Sequence, residues 1–257
     1  MRRRFFVDRF DVNSATLRGE PAEHLGRVLR AEPGQLYELS DGHCIWVGRI
    51  ERIALSKHGE SRIEFALVEL IPVNETALRI ELLISIVKFD RFEWCLEKAT
   101  ELGATEIIPL AAARTDKPLL AAAGKRRTRW EKILLESGQQ SRRLAPPLIR
   151  TAVHPAEAFA RSVAPLKLLL SERRVAPYLR AVLHDHASNQ SGSRATAVAL
   201  AIGPEGGWTE DELASAHAAG FEEVSLGTHI LRAETAVVAA LAVLQYALDG
   251  GSLALIS

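Results

Sequence analysis

The chain has 257 residues, 47% of them hydrophobic and 25% charged, and 32 basic side chains balance 32 acidic ones. That is the composition of a globular protein with room for a large and a small domain, and a net charge of zero excludes bulk electrostatic capture by nucleic acid or membrane, leaving only local patches. Cys44 and Cys95 form no CxxC pair, the basic start Met1–Val7 has too short an apolar run for a signal peptide, and no apolar stretch approaches the ~20 residues of a membrane span, so a cytoplasmic protein with reduced thiols, no metal and no membrane association is expected.

From Met1 to about Pro72 the pattern is mainly β. Arg4–Phe10 and Ala15–Arg18 are short strands, and Pro21–Arg30 is a small helix with proline in its first turn. Gln35–Leu39 and Ile45–Ile53 flank the hairpin signal Asp41-Gly42, and Arg62–Leu70 is a further strand. Short strands with tight turns suggest a small barrel. Its cations Arg4, Arg27 and Arg30 read, on sequence alone, as a solvated face. Ile71–Thr76 is polar and proline-bearing and reads as a linker. One domain is therefore expected over 1–72 and a second over 73–257.

The pattern then changes to strand, helix, strand. Arg79–Val87 is a strand, Asp90 with Glu93 caps a helix that runs to Leu102 and stops at Gly103, and Glu106–Leu110 is the next strand. This predicts a βαβ unit and a parallel sheet. Lys125–Gln139 is the most basic stretch, with Trp130, Ile133 and Leu134 on one helix face and Arg126 among the cations before them; Arg142 and Arg143 follow. Leu166–Leu170 is a buried strand ending at Ser171-Glu172. His184–Thr196 reads as a flexible loop, and His184 and His186 have no third ligand for a metal.

The most informative stretch is Val198–Gln245. The apolar strand Ala197–Ile202 empties into Gly203-Pro204-Glu205-Gly206-Gly207, and Thr209 with Glu212 forms a capping box that starts a helix ended by Gly220. A second strand, Glu222–Leu226, leads through Gly227-Thr228-His229-Ile230-Leu231-Arg232-Ala233-Glu234-Thr235 into the apolar helix Ala236–Leu248. In open α/β sheets, ligands bind just beyond the carboxyl ends of such strands. Neither loop is a dinucleotide fingerprint or a phosphate-cradling loop. Arg232 and Glu234 are charges set among apolar residues and need partners; pairing with each other is the structural alternative to a role in a site.

These paired loops resemble those of the RsmE family, 16S rRNA (uracil-N3)-methyltransferases of the SPOUT superfamily. The segments Lys88…Glu93-Trp94, Lys98-Ala99-Thr100-Glu101-Leu102-Gly103 and His24-Leu25-Gly26-Arg27-Val28-Leu29-Arg30 extend the resemblance over nearly the whole chain. It implies a PUA-like RNA-binding barrel followed by a SPOUT-type parallel sheet with a C-terminal trefoil knot, a homodimer, and S-adenosyl-L-methionine (SAM) as methyl donor to 16S rRNA of the small ribosomal subunit. It assigns SAM to Leu170, Ser171 and Glu172, to Ile202, Gly203, Pro204, Glu205, Gly206 and Gly207, and to Leu226, Gly227, Leu231, Arg232, Glu234, Thr235 and Ala236. It implies RNA contact by Arg4, Arg27, Arg30, Lys88, Arg126, Arg142 and Arg143, and catalysis by Arg232, with Glu234 the weaker candidate. The chain departs from the family pattern at Arg142, where glycine is usual, and at His229 and Ala233, where arginine and threonine are common. A silent RNA-binding assembly factor, a methyltransferase acting on another RNA, and an unrelated nucleotide-binding α/β enzyme are the other readings.

Overall fold

The computed structural model describes residues 3–56, 59–73, 78–189 and 197–248. It divides into two compact units, one of Met1–Glu75 with Gly138–Pro146, the other of Thr76–Ser137 with Pro147–Ser257.

The first unit contains β1 (Arg4–Phe6), β2 (Ser14–Arg18), α1 (Gly19–Glu23), β3 (Leu36–Ser40), β4 (Ile45–Ala54) and β5 (Arg62–Ile71). They form one sheet in the order β1-β3-β4-β5-β2, parallel between β1 and β3 and antiparallel elsewhere. Alternation decides which side chains turn inward. Leu17, Leu39, Ile50, Ile63 and Phe65 enter the core with Phe5 and Leu25, while Thr16, Glu64 and Arg62 between them face away. The strand β5 runs through Ile71 into the segment expected to be a linker; its remaining part, 74–76, lies outside the described residues.

The helix expected over Pro21–Arg30 is shorter and less regular. After α1 the chain widens into a π-helical turn at His24–Val28, where Gly26 lets the backbone press against Leu55. It closes with Ala31 N donating to Leu25 O at 3.1 Å around Arg30 at φ 52°. This is a left-handed helix cap, one residue wider than a Schellman closure, with arginine in the position that glycine usually takes.

The second unit holds β6 (Arg79–Ser85), α2 (Phe89–Glu101), β7 (Ala104–Leu110), α3 (Lys117–Ala123), α4 (Arg127–Gln140), β8 (Leu148–Ile149), α5 (Pro155–Arg161), β9 (Leu166–Leu170), α6 (Leu179–Asn189), β10 (Ala197–Ile202), α7 (Glu210–Ala218), β11 (Glu222–Val224) and α8 (Ala233–Leu248). The last three residues of α4 group with the first unit. The sheet is parallel throughout, in the order β11-β9-β10-β6-β7-β8.

Both faces of this sheet are covered, and that is why its strands read as unbroken apolar runs. Ile80, Leu82 and Ile84 point to the side where Phe92 and Cys95 of α2, Trp130 of α4, and Val237, Leu241 and Leu244 of α8 pack. Leu83, Leu169, Ala199 and Ala201 point to the side held by Phe159 of α5, Leu213 and Ala216 of α7, and Phe221. The helix α6 occupies part of the stretch expected to be a loop. Leu179, Val182 and Leu183, spaced three and four apart, are buried against the first of these faces and fix a helix that the polar residues after them obscured. The rest of that stretch, 190–196, lies outside the described residues. Among the described residues no helix is long and apolar enough to cross a membrane.

Candidate functional site

Three loops leave the carboxyl ends of the neighbouring strands β11, β9 and β10 and enclose one cleft of about 460 Å³. Its apolar floor is made by Leu170, Ile202, Leu226, Ala233 and Ala236, which continue the sheet and the start of α8. Its walls come from Ser171 and Glu172, from Gly203, Pro204, Glu205 and Gly207, and from Gly227 through Arg232, including Leu231. Of the residues expected to hold a cofactor, Gly206, Glu234 and Thr235 do not line the cleft. Gly206 stands one residue away, its carbonyl accepting from Arg114 Nη1 at 2.7 Å, and Glu234 and Thr235 begin α8 beside Ala233 and Ala236.

The sequence builds this cleft by local means. Thr209 Oγ1 accepts from Glu212 N at 3.2 Å and Glu212 Oε2 from Thr209 N at 2.9 Å, the reciprocal cap expected from their spacing. Gly207 N donates to Pro204 O at 2.8 Å and closes the turn, with Gly207 at φ 74°, a conformation that favours glycine. A side chain at Gly203 would put its Cβ 2.9 Å from the Trp208 ring. That ring is itself tied down, since Trp208 Nε1 donates to Leu170 O at 2.9 Å and links two of the three loops. On the third side, Ser171 N donates to Val224 O at 2.9 Å.

The charges at the rim were only partly foreseen. Arg232 is exposed, lines the cleft and has no hydrogen bond or ion pair from its guanidinium among the described residues. It does not pair with Glu234, the alternative left open by the sequence. Instead Arg91 of α2 contacts Glu205 and lies 4.0 Å from Glu234 Oε1, while Glu234 Oε2 is buried and has no hydrogen bond among the described residues. Arg91 and Arg114 both line the cleft, and sequence reasoning passed over both. Arg114 had a signal: it stands in a polar loop just after a strand of the parallel sheet, where ligand contacts cluster. Cys95 is buried beneath this end of the sheet. Burial first, and then the charge of Glu234, push its thiol up to about 12, which leaves it a small apolar side chain and no nucleophile at neutral pH.

Such a cleft suits a nucleoside-sized ligand with a charged tail. Its volume lies in the range of small-molecule sites, glycine backbone lines one wall, and charged side chains of both signs, among them Glu172, Glu205, Arg91 and Arg114, line it. SAM has these features: an adenine and ribose for the glycine-lined wall, a carbon chain for the apolar floor, and a charged amino-acid tail for the charged rim.

The residues expected to touch RNA divide into two groups. Lys88 and Arg30 are exposed; Arg27 is exposed and donates to Ser56 O at 2.7 Å. Arg126 lies 3.5 Å from Glu93 and over the Phe89 ring. Arg4 is only 7% exposed, and its guanidinium binds Glu38 at 2.9 Å and the carbonyl oxygens of Arg142 and Arg143. It organises the segment around Arg142 and Arg143 and has no solvated face to offer. Burial holds the Arg143 guanidinium below its usual range. Arg142, at φ 56°, closes the end of α4, where Arg143 N donates to Gly138 O at 2.9 Å. The position usual for glycine in this loop is thus the left-handed cap, and the chain fills it with an arginine that also faces Glu38 at 3.4 Å.

A model of the RNA methyltransferase domain family matches residues 74–245. The chain is similar to ribosomal RNA small subunit methyltransferase E of Synechocystis sp., with 36% identity over 232 residues, covering 89% of this chain and 72% of the relative. It is similar to the protein of that name from Mycobacterium bovis, 30% identical over 92% of this chain and 88% of the other. Among solved structures, ribosomal RNA small subunit methyltransferase E from Neisseria gonorrhoeae bound to S-adenosyl methionine superposes with a TM-score of 0.80 at 32% identity, over 96% of this chain and 98% of that one.

Proposed function

The chain belongs to the ribosomal RNA small subunit methyltransferase E family, and from that premise we propose that it transfers the methyl group of SAM to N3 of a specific uridine in 16S rRNA. The observation that carries this reading is the convergence of the three strand-end loops on one glycine-walled cleft with Arg232 free at its rim. When bound, SAM supplies an activated methyl group on its sulfonium. The work left to the chain is positioning and electrostatics. Gly203 and Gly207 would let main-chain groups approach the nucleoside, Leu170, Ile202 and Leu226 would exclude water from beneath it, and Gly206 and Glu234, beside the cleft, would hold Arg114 and Arg91 at its rim. The uracil N3–H is a weak acid, and its proton must pass to solvent before or as the N3–methyl bond forms and the methyl–sulfur bond breaks, releasing the thioether product. Arg232 stabilises the negative charge that develops on the base.

We read the second unit as a SPOUT-type domain over 73–257 with a C-terminal trefoil knot. Both ends of the loop after β9 grip the chain where β11 runs out, through Ser171 N to Val224 O on one side and Ser225 N to Pro177 O and Leu179 N to Ser225 O on the other; a threaded segment needs such a grip. We read the first unit as a PUA-like RNA-binding barrel centred on 1–72, a reading supported by the bridge Phe10↔Ala15 that ties the start of β2 back toward β1. A homodimer near the cleft accounts for the large apolar side chains left exposed at Ile230, Trp94 and Tyr246. A small-subunit rRNA substrate puts the activity in the cytoplasm.

The test is methyl transfer from labelled SAM to small ribosomal subunits lacking their modifications, with naked 16S rRNA in parallel, followed by digestion and identification of the labelled nucleoside. Labelled 3-methyluridine at one position is the expected result. SAM binding with no transfer to either substrate would redirect the assignment to another RNA, and loss of SAM binding as well would leave an RNA-binding assembly factor.

A further inference from the structure

The first unit carries an open groove of about 680 Å³ between β3 and the segment that closes α4. Tyr37 lines it, with its ring packed edge-on against the buried Phe5 at 5.7 Å, which fixes the ring's plane. The Tyr37 hydroxyl donates to Gln35 Oε1 at 3.0 Å, so the amide of Gln35 is turned with its NH₂ free to donate. Gln139 and Gln140 line the opposite side, and no side-chain hydrogen bond engages their amides among the described residues. Arg3 and Arg142 line it too, with Leu29 and Leu36, and the lining includes no carboxylate. Behind it, Glu38 is shared by Arg4 at 2.9 Å and Arg142 at 3.4 Å. With two arginines and no carboxylate in its lining, the groove is positive although the whole chain is neutral.

We propose that this groove is a subsite for one unpaired nucleotide of single-stranded RNA, its base stacked on Tyr37 and read by the glutamine amides, its phosphates held by Arg3 and Arg142. Each feature has a reason in the chemistry of that ligand. A fixed aromatic ring offers any base a stacking platform. A glutamine amide carries one acceptor and two donors on adjacent atoms, the pattern needed to bond a base edge. Such edges are open only in unpaired RNA. Guanidinium groups at the margin match phosphate. The inference rests on the reading that this protein acts on RNA, and it adds where a base outside the catalytic cleft is gripped.

The experiment uses the full chain and a fluorescein-labelled single-stranded RNA roughly ten nucleotides long, within the site size of single-strand binders. Anisotropy is measured for the wild type, for Tyr37→Leu, and for Gln139→Ala combined with Gln140→Ala, and SAM binding is measured on the same samples. Affinity for the RNA is expected to fall about tenfold in each variant, the order of magnitude of one lost stack, with SAM binding unchanged. In parallel, the wild type is photocrosslinked to the same RNA carrying 4-thiouridine, and the adducts are mapped to peptides. Adducts on the peptides that contain Tyr37 or Gln139–Arg142 support the groove whether or not a variant folds poorly. Wild-type affinity in both variants, or adducts confined to other peptides, overturns it and leaves the methyl-transfer reading standing. A wild type that binds no RNA overturns the groove, and if it also transfers no methyl group to ribosomal subunits, the functional reading falls with it.

Discussion

The indole of Trp208 and the carbonyl of Leu170 join two chain segments 38 residues apart through a buried 2.9 Å hydrogen bond. The bond fastens the loop after β10 to the end of β9, and Gly203 passes beneath the same ring with no room for a side chain. Replacing Trp208 with Phe keeps most of the packing against Phe159 but leaves the Leu170 oxygen without its donor. An unsatisfied buried acceptor costs about 1–3 kcal/mol. The Trp208→Phe variant is therefore expected to stay folded, to lose stability on that order in urea titrations, and to bind SAM more weakly by calorimetry. Unchanged SAM affinity would show that this tie does not shape the cleft.

The Arg232 side chain contributes nothing visible to the fold, being exposed and without an ion pair among the described residues. Arg232→Ala is expected to melt at the wild-type temperature. If its charge meets the anion that forms at N3, single-turnover methyl transfer under saturating SAM should fall by about 10²–10³, the cost of removing one such donor elsewhere. Full activity would remove Arg232 from the reaction.

The two glycines of the β10 loop should respond differently to a side chain. At Gly203 a Cβ meets the Trp208 ring at 2.9 Å, while at Gly206 it meets Arg114 Cβ at 3.3 Å, a contact that a small shift relieves. Gly203→Val is expected to destabilise the unit as well as to weaken SAM binding. Gly206→Val should leave the melting temperature nearly intact and lower SAM affinity alone, by displacing Arg114, which lines the cleft. Calorimetry and thermal melts on the two variants separate these outcomes.

Much of this architecture was legible because its signals are local. The capping box Thr209–Glu212, the glycines that bend the β10 loop and the apolar runs of β9 and β10 each declare themselves within a few residues. What was not legible depends on register. Arg4 looked like a solvated cation until β1 paired with β3 and set it opposite Glu38. Arg91 and Arg114 reach the β10 loop from 114 and 92 residues away, and no spacing rule connects such positions. The helix α6 was missed because three buried apolar residues carry it while most of its remaining positions are polar.

Arg142 tests how far a departure from the family pattern is tolerated. Its left-handed conformation costs an ordinary residue about 1–2 kcal/mol that glycine does not incur. Against that, glycine adds roughly 0.4–1 kcal/mol of chain entropy to the unfolded state and forfeits the contact with Glu38, which Arg4 still neutralises. These terms nearly cancel, so Arg142→Gly is expected to change unfolding free energy by less than about 1 kcal/mol. RNA affinity should nonetheless fall, because a guanidinium leaves the groove. A large loss of stability in urea titration would mean that the pair with Glu38 outweighs the strain.

The pH dependence of stability is carried in part by Cys95. Its thiol is held up to about 12 in the folded protein, from an ordinary 9.0, because burial and the nearby Glu234 charge both disfavour the thiolate. The unfolded chain therefore gives up this proton first. Stability from this group is fully present below about pH 9 and is lost as pH rises toward the folded value, at about 1.4 kcal/mol per pH unit. Cys95→Ala removes the titrating group at the cost of a small cavity. Urea unfolding from about pH 8 to about pH 11 should then show the variant less stable at the lower end and the gap narrowing as pH rises. Parallel profiles for the two proteins would mean that Cys95 does not resist ionisation, and that the floor beneath Glu234 is wetter than its burial indicates.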